Sequence, residues 1–345
     1  MGGREGERAG TARQRMKHVS ALFLLLALAA CAASIRPMGP AVEQPRLAGD
    51  FLIAADGAKL PLKRWLPAGG KQPRAVIVAL HGFNDYANAF ALPAPFWAGN
   101  GIATYAYDQR GFGGAPNRGY WAGTRSLTAD LRGAIRAVRA RHPGLPVYAV
   151  GVSMGGAVVM AALGDGRIPG LSGAVLVAPA VWGREHMTVI QSAALWLSYS
   201  TVPGLALSAE GLELQPSDNI PMLRELARDP MIIRETRIDA IKGLVDLMDD
   251  AYEAAPNIGH TATYMVYGLR DEIVPKAATF ETMRTLKKTS RRARFGLYES
   301  GWHMLLRDLD ATTLWRDIAA WIRDPAAKPP SLAEEKAAVI LSPFQ

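Results

Sequence analysis

From about Ala48 onward, short β-branched or aromatic runs alternate with helical patterns, and this alternation limits the possible folds more than any other property of the chain. Strands separated by helices are joined by right-handed crossovers, so they lie parallel in one sheet with helices on both faces. Eight runs read as strands: residues 51–54, 60–65, 75–80, 102–107, 147–152, 174–178, 263–268 and 293–298. The first two flank "ADGAK", a hairpin turn that makes the start of the sheet antiparallel. Helices are expected at residues 87–99, 126–141, 155–163, 275–287 and 311–322.

One segment breaks the rhythm. Residues 181–259 carry helical patterns but no evident strand, and the alternation resumes beyond them, so they read as a helical cap inserted into a core of 48–180 and 260–323. Residues 324–345 are rich in Pro, Ala and charge and read as a surface tail. Hydrophobic residues at 49% and charged residues at 20% are globular values, against both disorder and a polytopic membrane protein.

The formal net charge of +8 is uneven, because residues 1–18 hold Arg4, Arg8, Arg13, Arg15 and Lys17 against Glu5 and Glu7. No basic stripe is interleaved with aromatics, which argues against a nucleic-acid partner. The cluster from Lys287 to Arg294 reads as a solvated helix end. The apolar run from Val19 to Ala30 is too short to span a bilayer but suits the h-region of a signal peptide, residues 1–30. Met16-Lys17-His18 before it makes a compact n-region, so translation can start at Met16. The run ends in Leu28-Ala29-Ala30-Cys31, which resembles a bacterial lipobox. Cys31 is the single cysteine of the chain, so it has no internal disulfide partner, and lipidation accounts for it. Residues 31–47 then form a linker, and the protein is expected lipid-anchored in the cell envelope. Ala32, rather than aspartate, after the cysteine favours export to an outer membrane. Ordinary cleavage at an A-x-A site, giving a soluble periplasmic or secreted protein, is the alternative.

Gly151-Val152-Ser153-Met154-Gly155 fits G-x-S-x-G, with a strand before it and a helix after it. Such a turn strains the serine backbone, so positions two residues away on each side must lack bulk. Gly156 lets the helix approach the sheet. A serine hydroxyl needs a base and an orienting carboxylate. Of the six histidines, His18 falls in the signal, His142 in a loop, His186 in the cap and His260 on the wrong edge of the sheet, while His81 ends a strand. His303, in the loop after the last strand, is best placed to overhang Ser153 as the base. "VYGLRDEIVP" delivers Asp271 at a strand's carboxyl edge as the orienting carboxylate, whereas Glu272 faces solvent and Asp308 and Asp310 sit in or near the last helix. For the oxyanion, the N–H of Met154 is one donor, and "LHGFND", shaped by His81 and Gly82, supplies the N–H of Phe83 as the other.

Five motifs in order, "HGFNDY", "YDQRGFG", "GVSMGG", "GLRDEIVP" and "GWHMLLRD", resemble the α/β-hydrolase superfamily and, within it, the monoacylglycerol lipase and lysophospholipase-like group also filed with serine aminopeptidases. The resemblance covers about Gly49 to Trp321 and implies an α/β-hydrolase fold, with an eight-stranded, mostly parallel sheet and an inserted cap. It also implies the catalytic order Ser153, Asp271, His303, and makes Asp108 and Arg110 structural supports near the elbow. "HMLLRD" also matches H-x-x-x-x-D of glycerolipid acyltransferases, a match that would leave Ser153 unexplained. The expected activity is hydrolysis of a lipid-like carboxylic ester, without metal or organic cofactor. An aminopeptidase, thioesterase, transacylase or non-catalytic hydrophobic-ligand binder are the alternatives. The cap residues Met187, Ile190, Ala193, Ala194, Trp196, Leu197, Val202, Leu205, Met222, Leu223, Met231 and Ile232 suit either acyl chains or docking of the cap itself. A peptidase would need acidic groups beneath it, for which Glu210, Glu213, Asp218, Glu225 and Asp229 are available by type.

Overall fold

The structure, a computed structural model, describes residues 33–208, 211 and 213–342. The signal-like segment 1–30, Met16, Cys31 and Glu210 therefore lie outside the described residues.

The strands are β1 (Arg46–Ala48), β2 (Phe51–Ile53), β3 (Lys59–Trp65), β4 (Ala75–Leu80), β5 (Ile102–Tyr107), β6 (Val147–Val152), β7 (Leu171–Val177), β8 (Ala206–Ser208), β9 (Glu235–Arg237), β10 (Ala262–Gly268) and β11 (Ala293–Tyr298). Nine form one sheet in the order β1-β2-β3-β5-β4-β6-β7-β10-β11. The pairs from β1 to β5 are antiparallel and the rest are parallel. Every residue of β4 and β5 is buried, as expected for unbroken apolar runs covered on both faces. The ninth strand, beyond the eight expected, is β1. It is only Arg-Leu-Ala, too short to show an alternating pattern, and it folds back on β2 through Gly49 at φ 55°.

The helices are α1 (Pro93–Gly99), α2 (Thr124–Arg141), α3 (Met154–Gly164), α4 (Val189–Thr201), α5 (Ile220–Arg228), α6 (Ile238–Ala254), α7 (Lys276–Thr289), α8 (Ala311–Arg323) and α9 (Ala333–Ile340). The helix expected at 87–99 is divided into a 3₁₀ turn, Ala87–Phe90, and α1, because Pro93 starts a helix readily but cannot continue one.

Residues 181–259 are not purely helical. β8 and β9 form an antiparallel pair, each strand three residues long and without a legible pattern. Helix α6 is more deeply embedded than a lid helix: Val245, Leu247, Met248, Ala251 and Ala254 are buried, and a Cβ on Gly164 of α3 would stand 2.6 Å from the Cβ of Ala254. By contrast α4 has no buried residue.

Two segments expected to be loose are bound. In 324–345, α9 buries Ala333 and Ala337, and Leu341 follows on the same stripe. Arg294 of β11 donates two 2.8 Å bonds to Glu334, and the Ser331 N–H donates to buried Asp317 at 3.0 Å. The surface-tail expectation fails because an i, i+4 alanine–leucine stripe hides inside a polar composition. Residues 33–45, expected as a linker, run along the body. The N–H groups of Ser34, Arg36 and Met38 donate to Asp239 (3.0 Å), the Trp121 carbonyl (2.8 Å) and the Ser126 hydroxyl (2.9 Å).

Candidate active site

β6 ends at Val152 and α3 begins at Met154, so Ser153 is alone on the corner, at φ 51° and ψ −116°. A non-glycine residue in such a conformation costs on the order of 1–3 kcal/mol. Surrounding bonds hold it there: the Ser153 N–H donates to the Val177 carbonyl (2.9 Å), and its carbonyl accepts from the N–H groups of Ala157 and Ala180 (3.0 Å each). The flanking glycines are sterically required. A Cβ on Gly151 would lie 2.6 Å from the Gly156 nitrogen, one on Gly155 would lie 2.8 Å from the His81 oxygen, and one on Gly156 would lie 2.9 Å from the Pro179 Cβ.

Asp271 follows β10. Its Oδ1 accepts from the N–H groups of Ile273 (2.7 Å) and Val274 (2.9 Å), which leaves Oδ2 for the Nδ1 of His303 at 2.8 Å. A carboxylate accepts only, so Nδ1 carries the proton and Nε2 is the basic nitrogen. Gly268 allows the close approach of the two loops, because a Cβ there would meet the Trp302 carbonyl oxygen at 2.7 Å. Both His303 and Ser153 line one cavity.

The loop after β4 is clamped from below. Buried His81 donates from Nδ1 to the Gly82 carbonyl (2.8 Å), while its Nε2 accepts from the Gln109 N–H (2.9 Å). The Gln109 side chain donates to the His81 carbonyl (2.8 Å). Burial lowers the His81 pKa, which keeps the ring neutral and this tautomer in place. Beyond it, the Phe83 ring meets Phe112 edge-on at 5.5 Å. Among the described residues, neither the Phe83 N–H nor the Met154 N–H has a hydrogen-bond partner. A Cβ on Gly82 would lie 3.5 Å from the Cβ of Ser153, so this loop and the elbow converge.

Asp108 accepts from the N–H groups of Ala87 and Gly114 (2.8 Å each), and Arg110 forks onto Asp130 and Asp56, with Nε–Oδ2 at 2.6 Å and Nη2–Oδ1 at 2.7 Å. Both are framework contacts. Asp308, to which the sequence assigned no role, accepts from the Trp302 N–H (2.8 Å) and the Ser217 hydroxyl (2.6 Å). Burial raises its pKa. Nearby, the Met304 N–H donates to the Pro216 carbonyl (2.8 Å) and the Asn219 amide to the Arg307 carbonyl (2.8 Å). The His303 loop is thereby stitched to residues 216–219. These partners are about ninety residues apart in sequence, and no local pattern announces them.

The cavity measures about 770 Å³ and is walled mainly by apolar side chains, including Met187, Ala194, Leu195, Leu244, Met248 and Leu306. That volume lies within the range of small-molecule sites. Among the described residues, the Asp and Arg side chains that line it are the ion pair of Asp85 with Arg307. The apolar cap residues divide: Met187 and Ala194 face the cavity, while Ile190, Trp196, Leu197 and Leu205 are exposed. None of Glu213, Asp218, Glu225 and Asp229 lines it. Asp218 accepts from the Leu309 N–H, and Asp229 from the Tyr86 hydroxyl.

Residues 71–310 match the family described as serine aminopeptidase, S33. Human monoglyceride lipase is 25% identical over 295 residues, covering 80% of this chain and 90% of that protein. Monoacylglycerol lipase of Mycolicibacterium smegmatis is 23% identical over 278 residues, covering 77% and 93% respectively. Among solved structures, a soluble variant of monoglyceride lipase from Saccharomyces cerevisiae in complex with a substrate analog superposes with a TM-score of 0.68 at 20% identity, covering 86% of this chain and all of that one. Monoacylglycerol lipase of Paleococcus ferrophilus gives 0.62 at 20% identity, covering 77% of this chain and 99% of that one. The chain has the α/β-hydrolase fold and belongs to the serine aminopeptidase S33 family.

Proposed function

We propose that this protein is a carboxylic-ester hydrolase that cleaves a single-chain lipid ester, of monoacylglycerol or lysophospholipid type, through an acyl-enzyme on Ser153. The observation that carries the reading is a strained, cavity-facing serine sharing an apolar chamber with a carboxylate-oriented histidine. His303 takes the Ser153 proton through Nε2 as the hydroxyl attacks the ester carbonyl. It gives that proton to the departing alcohol, then activates the water that releases the acid. Asp271 fixes the tautomer and stabilises the imidazolium. The free N–H groups of Phe83 and Met154 receive the oxyanion.

The chamber favours an ester lipid over a peptide amine. Its single carboxylate among the described residues is Asp85, already paired with Arg307, so no free acid awaits a substrate ammonium. The human and mycobacterial relatives are named for monoacylglycerol hydrolysis, which agrees with this choice. Labelling of wild type but not Ser153→Ala by a fluorophosphonate tests the nucleophile. Rising turnover of longer p-nitrophenyl esters against an inert aminoacyl-nitroanilide tests the substrate class, and the opposite preference would replace this reading with peptidase.

The lipobox-like end of the apolar run supports acylation of Cys31 and attachment to the cell envelope, where such a substrate resides. Cys31→Ser should release the protein from membranes. Unchanged fractionation and unchanged precursor processing would count against the anchor.

A further inference from the structure

Asn84, the residue after Phe83, has φ 61°, a left-handed conformation that favours glycine and that asparagine tolerates better than most side chains. It is the third residue of a turn closed by the Asp85 N–H on the Gly82 carbonyl at 3.3 Å, and a positive φ at that position marks a type II turn. The Phe83 N–H belongs to the same turn. Among the described residues it has no partner of its own, so its direction is set by how firmly the two ends of the turn are held.

One end is held by the His81–Gln109 clamp. The other is held at Asn84, from outside the sheet. The Asn84 carbonyl accepts from the Ile233 N–H at 3.0 Å, and its side-chain amide donates to the Thr236 hydroxyl at 2.6 Å. Thr236 stands in β9, is buried, and lies 152 residues along the chain. The segment 229–237 that supplies both partners is braced at other points as well. Asp229 accepts from the Tyr86 hydroxyl (2.7 Å), the Pro230 carbonyl accepts from the Arg118 guanidinium (2.6 Å), β9 pairs with β8, and the Arg237 guanidinium covers the Tyr120 ring at 4.7 Å. A fixed segment thus grips the turn at its strained residue. Glycine would meet the backbone requirement at position 84 without strain. Asparagine adds a bond to Thr236 that glycine lacks.

With the serine mechanism as its premise, we propose that Asn84 is a positioning residue, whose bond to Thr236 holds the turn in the form that aims the Phe83 N–H at the oxyanion. Neither Asn84 nor Thr236 lines the chamber, so they act through the turn and not on the substrate.

The test measures kcat and KM for p-nitrophenyl butyrate, and inhibition by an alkyl trifluoromethyl ketone. Ser153 Oγ adds to the ketone carbon of this inhibitor, the hydroxyl proton passes to His303 Nε2, and the carbonyl electron pair becomes an oxyanion at the same donors. Asn84→Gly keeps the left-handed backbone and removes the amide, while near-isosteric Thr236→Val removes only the hydroxyl. Outright loss of an oxyanion donor costs about 10²–10³ in kcat, so a donor kept but loosened should cost about tenfold in each variant. KM should stay at the wild-type value, and the inhibition constant of the ketone should rise by the factor that kcat falls. Both changes delete the same bond, so the double variant should lose no more than either single one. Thr236→Ser, which retains the acceptor, should recover most of the rate. Wild-type kcat in Asn84→Gly and Thr236→Val would overturn the proposal, as would a loss confined to KM or losses that multiply in the double variant. A lowered urea midpoint with unchanged ketone inhibition would overturn it too, by reducing the bond to a fold contact. Full turnover by Ser153→Ala would instead overturn the serine mechanism itself, whatever the Asn84 and Thr236 variants do.

Discussion

Asp271→Asn separates the charge of this carboxyl group from its shape. The side chain accepts two backbone N–H bonds on Oδ1 and receives His303 on Oδ2. An asparagine keeps the first pair only if its oxygen faces Ile273 and Val274, which turns its NH₂ toward Nδ1. The ring must then accept at Nδ1 and carry its proton on Nε2, the tautomer that cannot deprotonate Ser153. Flipping the amide would rescue the tautomer but strand two N–H groups, at about 1–3 kcal/mol each. The wrong tautomer is thus held by roughly 2–6 kcal/mol. In a serine triad this defect costs about 10⁴ in kcat, equivalent to about 5 kcal/mol of barrier at 1.36 kcal/mol per decade. Steady-state hydrolysis of p-nitrophenyl butyrate measures the loss, while thermal unfolding of the near-isosteric variant should stay close to wild type. Retention of more than a tenth of wild-type turnover by a fully folded variant would refute the assignment of Asp271.

Gly155→Ala places a methyl against the Leu80 and His81 backbone, which cannot withdraw, and should cost about 1–3 kcal/mol in urea unfolding together with activity. Asp308→Ala strands the Trp302 N–H and the Ser217 hydroxyl, about 1–3 kcal/mol each, so kcat should fall and urea unfolding shift down, with Asp308→Asn closer to wild type. Ala194→Trp fills part of the chamber and should shift the p-nitrophenyl ester profile toward shorter acyl chains. Burial lowers the pKa values of His81 and His142 from 6.5, so as pH falls below 6.5 the unfolded chain binds protons that the folded one refuses, and stability is lost. The urea midpoint should therefore drop more between pH 7 and pH 5.5 for wild type than for His81→Gln, and equal drops would contradict the neutral buried ring.

What was legible in the sequence is what local rules write. β4 through β7 announce themselves as apolar runs because both faces are covered, and the elbow shows because steric exclusion by Leu80, His81 and Gly156 permits little but glycine at 151 and 155. Asp271 and His303 stand in loops directly after strands, where chain order alone suggests a meeting. The missed features depend on partners remote in sequence. Asp85 and Arg307 are 222 residues apart, Ser34 and Asp239 are 205 apart, and neither end carries a mark of the other. β1, β8 and β9 have three residues each, too few for a period to show, and unlike the equally short β2 none of them adjoins the "ADGAK" turn.

The Asp85–Arg307 pair also constrains how the chamber works. A buried ion pair in an apolar wall is held at a desolvation cost that its mutual attraction offsets only with good geometry and further bonds. Here both partners are supplied: the Tyr86 N–H donates to Asp85 (2.8 Å), and Arg307 Nε donates to the Ala89 carbonyl (3.3 Å). Arg307 lies in the same loop as His303, and Asp85 in the same loop as Phe83. The pair therefore ties the loop of His303 to the loop of Phe83, the two loops to which the proposed mechanism assigns the base and an oxyanion donor. Apolar residues of equal volume could close the wall as well. They would not fix the spacing between the two loops, on which the proposed proton transfer and oxyanion capture would both depend.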